Sequence, residues 1–151
     1  MNYIIGCGGV GCAIIPSFCL LKSPSEITLI DGDLIEKKNR NRQTFESTHI
    51  GMNKAQALAG KYGCRFIPEW FAKGKIRHFR TDWLLCLVDN HRTRLEALEV
   101  CDEFGCQAIF AANEMHSSEA MRFIFASLLA FVLALLTSDS LPARANSFST
   151  A

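Results

Sequence analysis

The run Gly6-Cys7-Gly8-Gly9-Val10-Gly11 constrains this chain more than any other feature. It is entered from the short apolar segment Tyr3 to Ile5 and left through apolar residues that continue to Leu21. Glycines at this spacing let the backbone turn sharply, approach an anion closely and present amide groups at the start of a helix. A strand, a phosphate-sized turn and a helix are expected, with Gly6, Gly8, Gly9 and Gly11 as nucleotide-binding positions. Pro16 falls inside that helix and has no amide to donate, so a kink or a late helix start is expected.

The pattern after the loop repeats the alternation. Glu26 to Asp31 reads as a second buried strand, with the β-branched content of a central parallel position. Lys54 to Tyr62 is helical, with Ala55, Leu58 and Ala59 on one face and Gly63 as its C-cap. Cys64 to Ile67 reads as a third strand, ended by Pro68. Trp83 to Val88 is the most strongly marked strand, and Asp89 comes directly after it. Arg92 to Phe104 reads as an amphipathic helix with Leu95, Leu98 and Cys101 inward and Gly105 as its stop, and Gln107 to Ala112 as another strand. Alternating strands and helices predict an α/β fold: a Rossmann-like open, mainly parallel sheet with helices on both faces.

Composition removes several classes of function. An apolar fraction of 49% with 21% charged residues excludes a disordered chain, and 151 residues correspond to one domain with a short appendage. Sixteen basic residues against 15 acidic ones leave no global field, so no nucleic-acid partner is expected. The basic stretch Lys73 to Arg80 is read as a solvated connection. The seven cysteines include no CxxC pair and are read as reduced thiols serving as small hydrophobes, with no zinc site expected. His49, His78, His91 and His116 are scattered and read as ordinary surface or loop residues.

The choice of nucleotide rests on the residues at and beyond the end of the second strand. Asp31 stands 20 residues after Gly11, where a carboxylate accepts hydrogen bonds from ribose hydroxyls of NAD, FAD or ATP alike. Beyond Asp31, Asp33 and Glu36 come Lys37, Lys38, Arg40 and Arg42, and Lys54 opens the next helix. Such a cation cluster suits a triphosphate, whose charge must be stabilised as an oxygen attacks one phosphorus and pyrophosphate leaves; on composition alone a solvated basic loop is the other reading. An NAD- or FAD-dependent oxidoreductase is the alternative, disfavoured by Arg42, Lys54 and Asp89 together.

Four motifs in order complete the pattern: the glycine loop; Asp31-x-Asp33-Leu34-Ile35-Glu36-x-x-Asn39-x-Asn41-Arg42-Gln43; Gly51-x-x-Lys54-Ala55; and Leu87-Val88-Asp89-Asn90-x-x-x-Arg94. Over residues 3 to 112 this resembles the ThiF/MoeB family, bacterial relatives of the ubiquitin-activating enzymes. The resemblance implies Mg-ATP-dependent adenylylation of a C-terminal carboxylate, that of a ubiquitin-like or sulfur-carrier acceptor protein, by a homodimeric enzyme; a cytoplasmic location is expected from hydropathy, since no window reaches spanning length and Asn2 to Ile5 runs straight into glycines. By motif position it implies Asp31 on the ribose, Asn39, Arg42 and Lys54 on the phosphates, and Asp33 as a further nucleotide-binding position. Gln43 would fix the loop, and Asp89 would bind magnesium with Asn90 beside it. Arg42, Lys54 and Asp89 are the expected catalytic residues. An N-terminal helical segment that supplies an arginine in the family has no counterpart before Met1, and Arg40 replaces a usual leucine. The chain is therefore expected to carry an incomplete version of the reaction. A nucleotide-binding module that recognises a ubiquitin-like partner without turnover is the alternative.

The last part of the chain stands apart. Residues 1–112 are expected to form the ATP-binding domain, 113–120 a polar connection, and 121–151 a hydrophobic helix with a polar tail. Phe123 to Leu136 is apolar except at Ser127, too short for a spanning helix. With Met121-Arg122 before it and Ala143-Arg144-Ala145 after it, the run also has the layout of a secretory signal, though not at an N-terminus. A buried or partner-facing helix is the favoured reading, ahead of a misjoined signal-like sequence and a membrane-associated tail.

Overall fold

The computed structural model describes residues 1–39, 43–74 and 83–111. Five strands form one sheet: β1 (Asn2–Ile5), β2 (Ile27–Ile30), β3 (Arg65–Ile67), β4 (Trp83–Cys86) and β5 (Gln107–Phe110). Their order across the sheet is β3-β2-β1-β4-β5 and every neighbouring pair is parallel. Among the described residues three α-helices join β1 to β2, β2 to β3 and β4 to β5 in turn: α1 (Gly9–Leu21), α2 (Lys54–Tyr62) and α3 (His91–Phe104). This is the expected Rossmann-like α/β fold.

Alternation along the central strands divides the core into two layers, because successive side chains point to opposite faces. Ile4, Leu29 and Leu85 pack beneath α1 and α2 with Ile14, Ile15, Phe18 and Leu58. Tyr3, Ile5, Ile30, Leu84 and Cys86 face α3, meeting Ala97, Val100 and Cys101. Each strand of the β1–β2–β4 centre is thus apolar on both sides, which explains why these segments read as continuous apolar runs. Truncating Phe18, fully buried in the first layer, should cost about 3–5 kcal/mol.

The caps explain the helix limits. Asn53 accepts from the Gln56 amide at 3.1 Å to start α2, and Asn90 accepts from Thr93 at 2.8 Å to start α3. Gly63 and Gly105 end them in the left-handed conformation, at φ 77° and 68°. Two expectations need correction. Of the two outcomes expected at Pro16, the late start does not occur: α1 begins at Gly9 and runs through Pro16 to Leu21, and packing of Ile14, Ile15 and Phe18 outweighs the lost amide. In α3, Leu95 and Leu98 face outward, 61% and 48% exposed. The smaller Ala97, Val100 and Cys101 take the sheet-facing stripe instead. Arg40, Asn41, Arg42, residues 75–82 and residues 112–151 lie outside the described residues, and with them the polar connection and the apolar run. Among the described residues no helix is long and apolar enough to cross a membrane.

Candidate functional site: a nucleotide crevice above the sheet

The chain leaves β1 toward β2 and β3 on one side and returns through β4 and β5 on the other. The strand order therefore reverses between β1 and β4, and in open parallel sheets ligands bind at the carboxyl ends of strands at such a point. The glycine loop comes after β1 there. Gly6 has φ 97°, and a Cβ on it would stand 2.8 Å from Val88 Cγ1 and 3.0 Å from the Leu87 carbonyl oxygen. Gly6 is thus required both by conformation and by the close approach of the β4 end. A Cβ on Gly11 would collide with the Gly6 carbonyl oxygen, so this glycine lets α1 begin directly on the turn. Gly8 precedes the helix and Gly9 opens it. A helix that starts directly on this turn leaves its first amides without intrahelical partners, an arrangement that suits an anion.

Asp31, just past β2, is buried and bonded through both oxygens. Cys7 N–H donates to Oδ2 at 2.7 Å and Asp33 N–H to Oδ1 at 2.8 Å. Burial raises its pKa above the ordinary carboxylate value, opposed by those two amides and by the nearby Lys54 charge. The carboxylate is locked to the glycine loop on one side and to its own turn on the other. Remaining lone pairs can accept from vicinal hydroxyls.

Lys54 opens α2 and is buried, with Nζ 2.6 Å from Asp33 Oδ2. Its placement comes from a short two-strand pairing. Ile35 N–H donates to Met52 O and Gly51 N–H to Ile35 O, both at 2.9 Å, and Lys54 N–H donates to Asp33 O at 3.0 Å. Asn53 ties the cluster together, a role that sequence reading did not assign. Its Nδ2 donates to the Asp31 carbonyl at 2.8 Å and to that of Asp33 at 3.2 Å, while Oδ1 caps α2. An asparagine directly before a helical run was the available signal.

Asn39 is buried at the end of a short 3-10 turn and closes its own loop, its Oδ1 accepting from the Glu36 amide at 2.9 Å. Gln43 is half-buried, with Nε2 3.9 Å from where a Cβ on Gly8 would stand, so it lies beside the glycine loop. Its Oε1 is buried without a hydrogen-bond partner among the described residues. Arg42 lies outside those residues. On the β4 side, Asp89 is exposed and Asn90 caps α3. Arg94 Nε donates to the Val88 carbonyl at 2.9 Å, which fixes the chain just before Asp89; this too was unassigned from sequence. Among the described residues no group of three or more His, Cys, Asp or Glu could by itself hold a metal.

Cys7 and Cys64 are held away from the thiolate form. Cys7 is fully buried, and its thiol pKa is pushed well up by burial, with Asp31 adding to the rise. Cys64 is pushed up to about 12 by burial and by its thiol contact with Cys19, 3.5 Å away.

Known proteins resemble this chain in sequence or in architecture. Human ubiquitin-like modifier-activating enzyme 6 is 41% identical over 63 residues, covering 38% of this chain and 6% of that enzyme. The NEDD8-activating enzyme E1 catalytic subunit of Saccharomyces cerevisiae is 38% identical over 64 residues, covering 42% of this chain and 21% of that subunit. E. coli TcdA, a tRNA N6-threonylcarbamoyladenosine dehydratase solved in complex with ATP, shares the fold at TM-score 0.64. It is 20% identical over 72% of this chain and 49% of its own. E. coli MccB, crystallised with a form of MccA, matches at TM-score 0.60 and 25% identity over 74% of this chain and 35% of its own. This chain spans less than half the length of each of these proteins. The model of the ThiF family matches residues 2–138, past the last described strand and through the apolar run, and the chain belongs to that family.

Proposed function

We propose that this chain binds Mg-ATP in the crevice above β1, β2 and β4 and serves in adenylylation of the C-terminal carboxylate of a ubiquitin-like or sulfur-carrier protein. The observation that carries the reading is the Asp31–Asp33–Asn53–Lys54 cluster, fastened to the glycine loop through Cys7 N–H. A dinucleotide site needs the acidic residue but not a buried lysine beside it.

In this reading the triphosphate lies along the Gly6–Gly11 cradle at the start of α1 and the ribose hydroxyls donate to Asp31. Lys54 exchanges Asp33 for a phosphate oxygen, so its charge is held within reach before the nucleotide arrives. The acceptor carboxylate attacks the α-phosphorus and forms an oxygen–phosphorus bond, while the bond to the bridging oxygen breaks and pyrophosphate leaves. A carboxylate is already ionised at neutral pH, so no general base is required, and the rate rests on alignment and charge neutralisation. Arg42 joins Lys54 in neutralising the phosphates, and Asn39 and Gln43 shape the loop that carries it. Magnesium is held mostly by phosphate oxygens and water, so one exposed carboxylate at the crevice rim, Asp89, fits it as a protein ligand. When bound it would neutralise phosphate charge.

ATP–pyrophosphate exchange in the presence of the acceptor tests the reading. In a complete, active form of the protein Arg42→Ala and Asp89→Ala are each expected to abolish exchange, and undiminished rates in both would contradict the reading.

A further inference from the structure

Trp70 lies beyond β3 in the connection to β4 and is 62% exposed, the most exposed aromatic side chain among the described residues. It is not loosely placed. Its indole Cγ, Cδ2 and Cε2 lie 2.7, 2.6 and 2.7 Å from where a Cβ on Gly32 would stand. Near-equal distances to three atoms of the five-membered ring mean that the absent Cβ would point into the ring face. The indole therefore lies flat over Gly32, and only a glycine gives it that seat. Phe71, the next residue, is buried in the α3-side core. Lys73 N–H donates to Glu96 at 3.2 Å and its ammonium to Glu99 at 3.0 Å, so the connection is fastened to α3 just past the tryptophan.

One face of the indole is thus occupied by the backbone beside Asp31, and the other faces away from the protein. The sheet order β3-β2-β1 gives that face a meaning. Phosphates belong at the loop after β1 and ribose at Asp31 after β2, so a nucleotide continuing in the same direction brings its base to the loop after β3. Strands stand about 4.8 Å apart, comparable to the steps from phosphate to ribose and from ribose to base. We infer that Trp70 is the platform on which the adenine ring stacks, with Gly32 as its support. The inference rests on the nucleotide reading above and adds to it a residue that binds the base. Stacking of this kind is tolerant of base identity, so Trp70 confers affinity for a purine nucleotide rather than choice among purines.

Binding of ATP and of inorganic tripolyphosphate, each with magnesium, to the wild type, Trp70→Ala and Trp70→Phe separates the possibilities. The expected result is about tenfold weaker ATP binding in Trp70→Ala, near-wild-type binding in Trp70→Phe, and tripolyphosphate binding unchanged in both. ATP should also quench tryptophan fluorescence in the wild type, and Trp70→Phe should lose that quench. Equal ATP affinity in all three proteins would overturn the inference while leaving the nucleotide site standing. So would an acceptor-binding defect in Trp70→Ala with ATP affinity intact, since that makes the indole an acceptor contact. Loss of tripolyphosphate and ATP together in Trp70→Ala would reduce Trp70 to a structural support and overturn the inference as well. A wild type that binds neither ligand would remove the nucleotide reading itself.

Discussion

The two sides of the crevice are built differently. On the β2 side, Asp31, Asp33, Asn53 and Lys54 are bonded to one another and to backbone amides, and three of the four are buried. On the β4 side, Asp89 and Asn90 are exposed at the start of α3; Asn90 caps the helix, and Arg94 holds the preceding carbonyl. One side sets its charges in place as part of folding, whereas the other offers a carboxylate at the rim and a helix N-terminus. Substitutions on the β2 side should therefore cost stability as well as binding, and those at Asp89 should cost binding alone.

Of the crevice substitutions Gly6→Ala should have the largest effect on stability, because Gly6 stands where the two sides meet. Left-handed strain adds to contact with Val88 and Leu87, for a loss of about 3 kcal/mol in chemical denaturation; a loss below about 1 kcal/mol would mean that the β4 end yields to the side chain. Asn53→Ala removes a helix cap and two hydrogen bonds to the Asp31 and Asp33 carbonyls and should cost about 2 kcal/mol. Asp89→Ala should leave stability within about 0.5 kcal/mol of wild type while abolishing exchange. If it destabilised the fold as much as Asn53→Ala, the contrast between the two sides would collapse.

A pH series sharpens the same contrast. Burial raises the folded-state pKa of Asp31 above its unfolded value, so its ionised form costs stability at neutral pH. The folded state then holds the proton more tightly, and that cost is relieved as pH falls through the folded pKa toward about 3.9. The stability of wild type relative to Asp31→Ala should rise in that window and level off below it. A flat difference would show that the two amides offset the burial. Leu98→Gln on the outer face of α3 should be the smallest change, within about 0.5 kcal/mol, since the side chain is already half exposed.

Local signals carried much of this structure in the sequence. The α2 boundaries coincide with Asn53 and Gly63, residues whose chemistry starts and stops a helix without tertiary help. The strand, glycine turn and helix start were legible in the glycine spacing, and the place of Asp31 just past β2 in the apolar run before it. The inward face of α3 was not. Leu95 and Leu98 form one apolar stripe and Ala97, Val100 and Cys101 another, and periodicity does not say which the sheet accepts. The roles of Asn53, Trp70 and Arg94 depend on contacts between segments distant in the chain, which no local pattern encodes. The exposed aromatic at position 70 was visible as a residue, but its seat on Gly32 emerges only when β3 lies beside β2.

The central claim is that this crevice is built for a nucleoside triphosphate. Its most direct test is thermal unfolding of the protein with increasing Mg-ATP or NAD, since only a ligand bound by the native state raises the midpoint. A concentration-dependent rise with Mg-ATP that Asp31→Ala loses, and no rise with NAD, is the predicted result. A rise with NAD and none with Mg-ATP would contradict it.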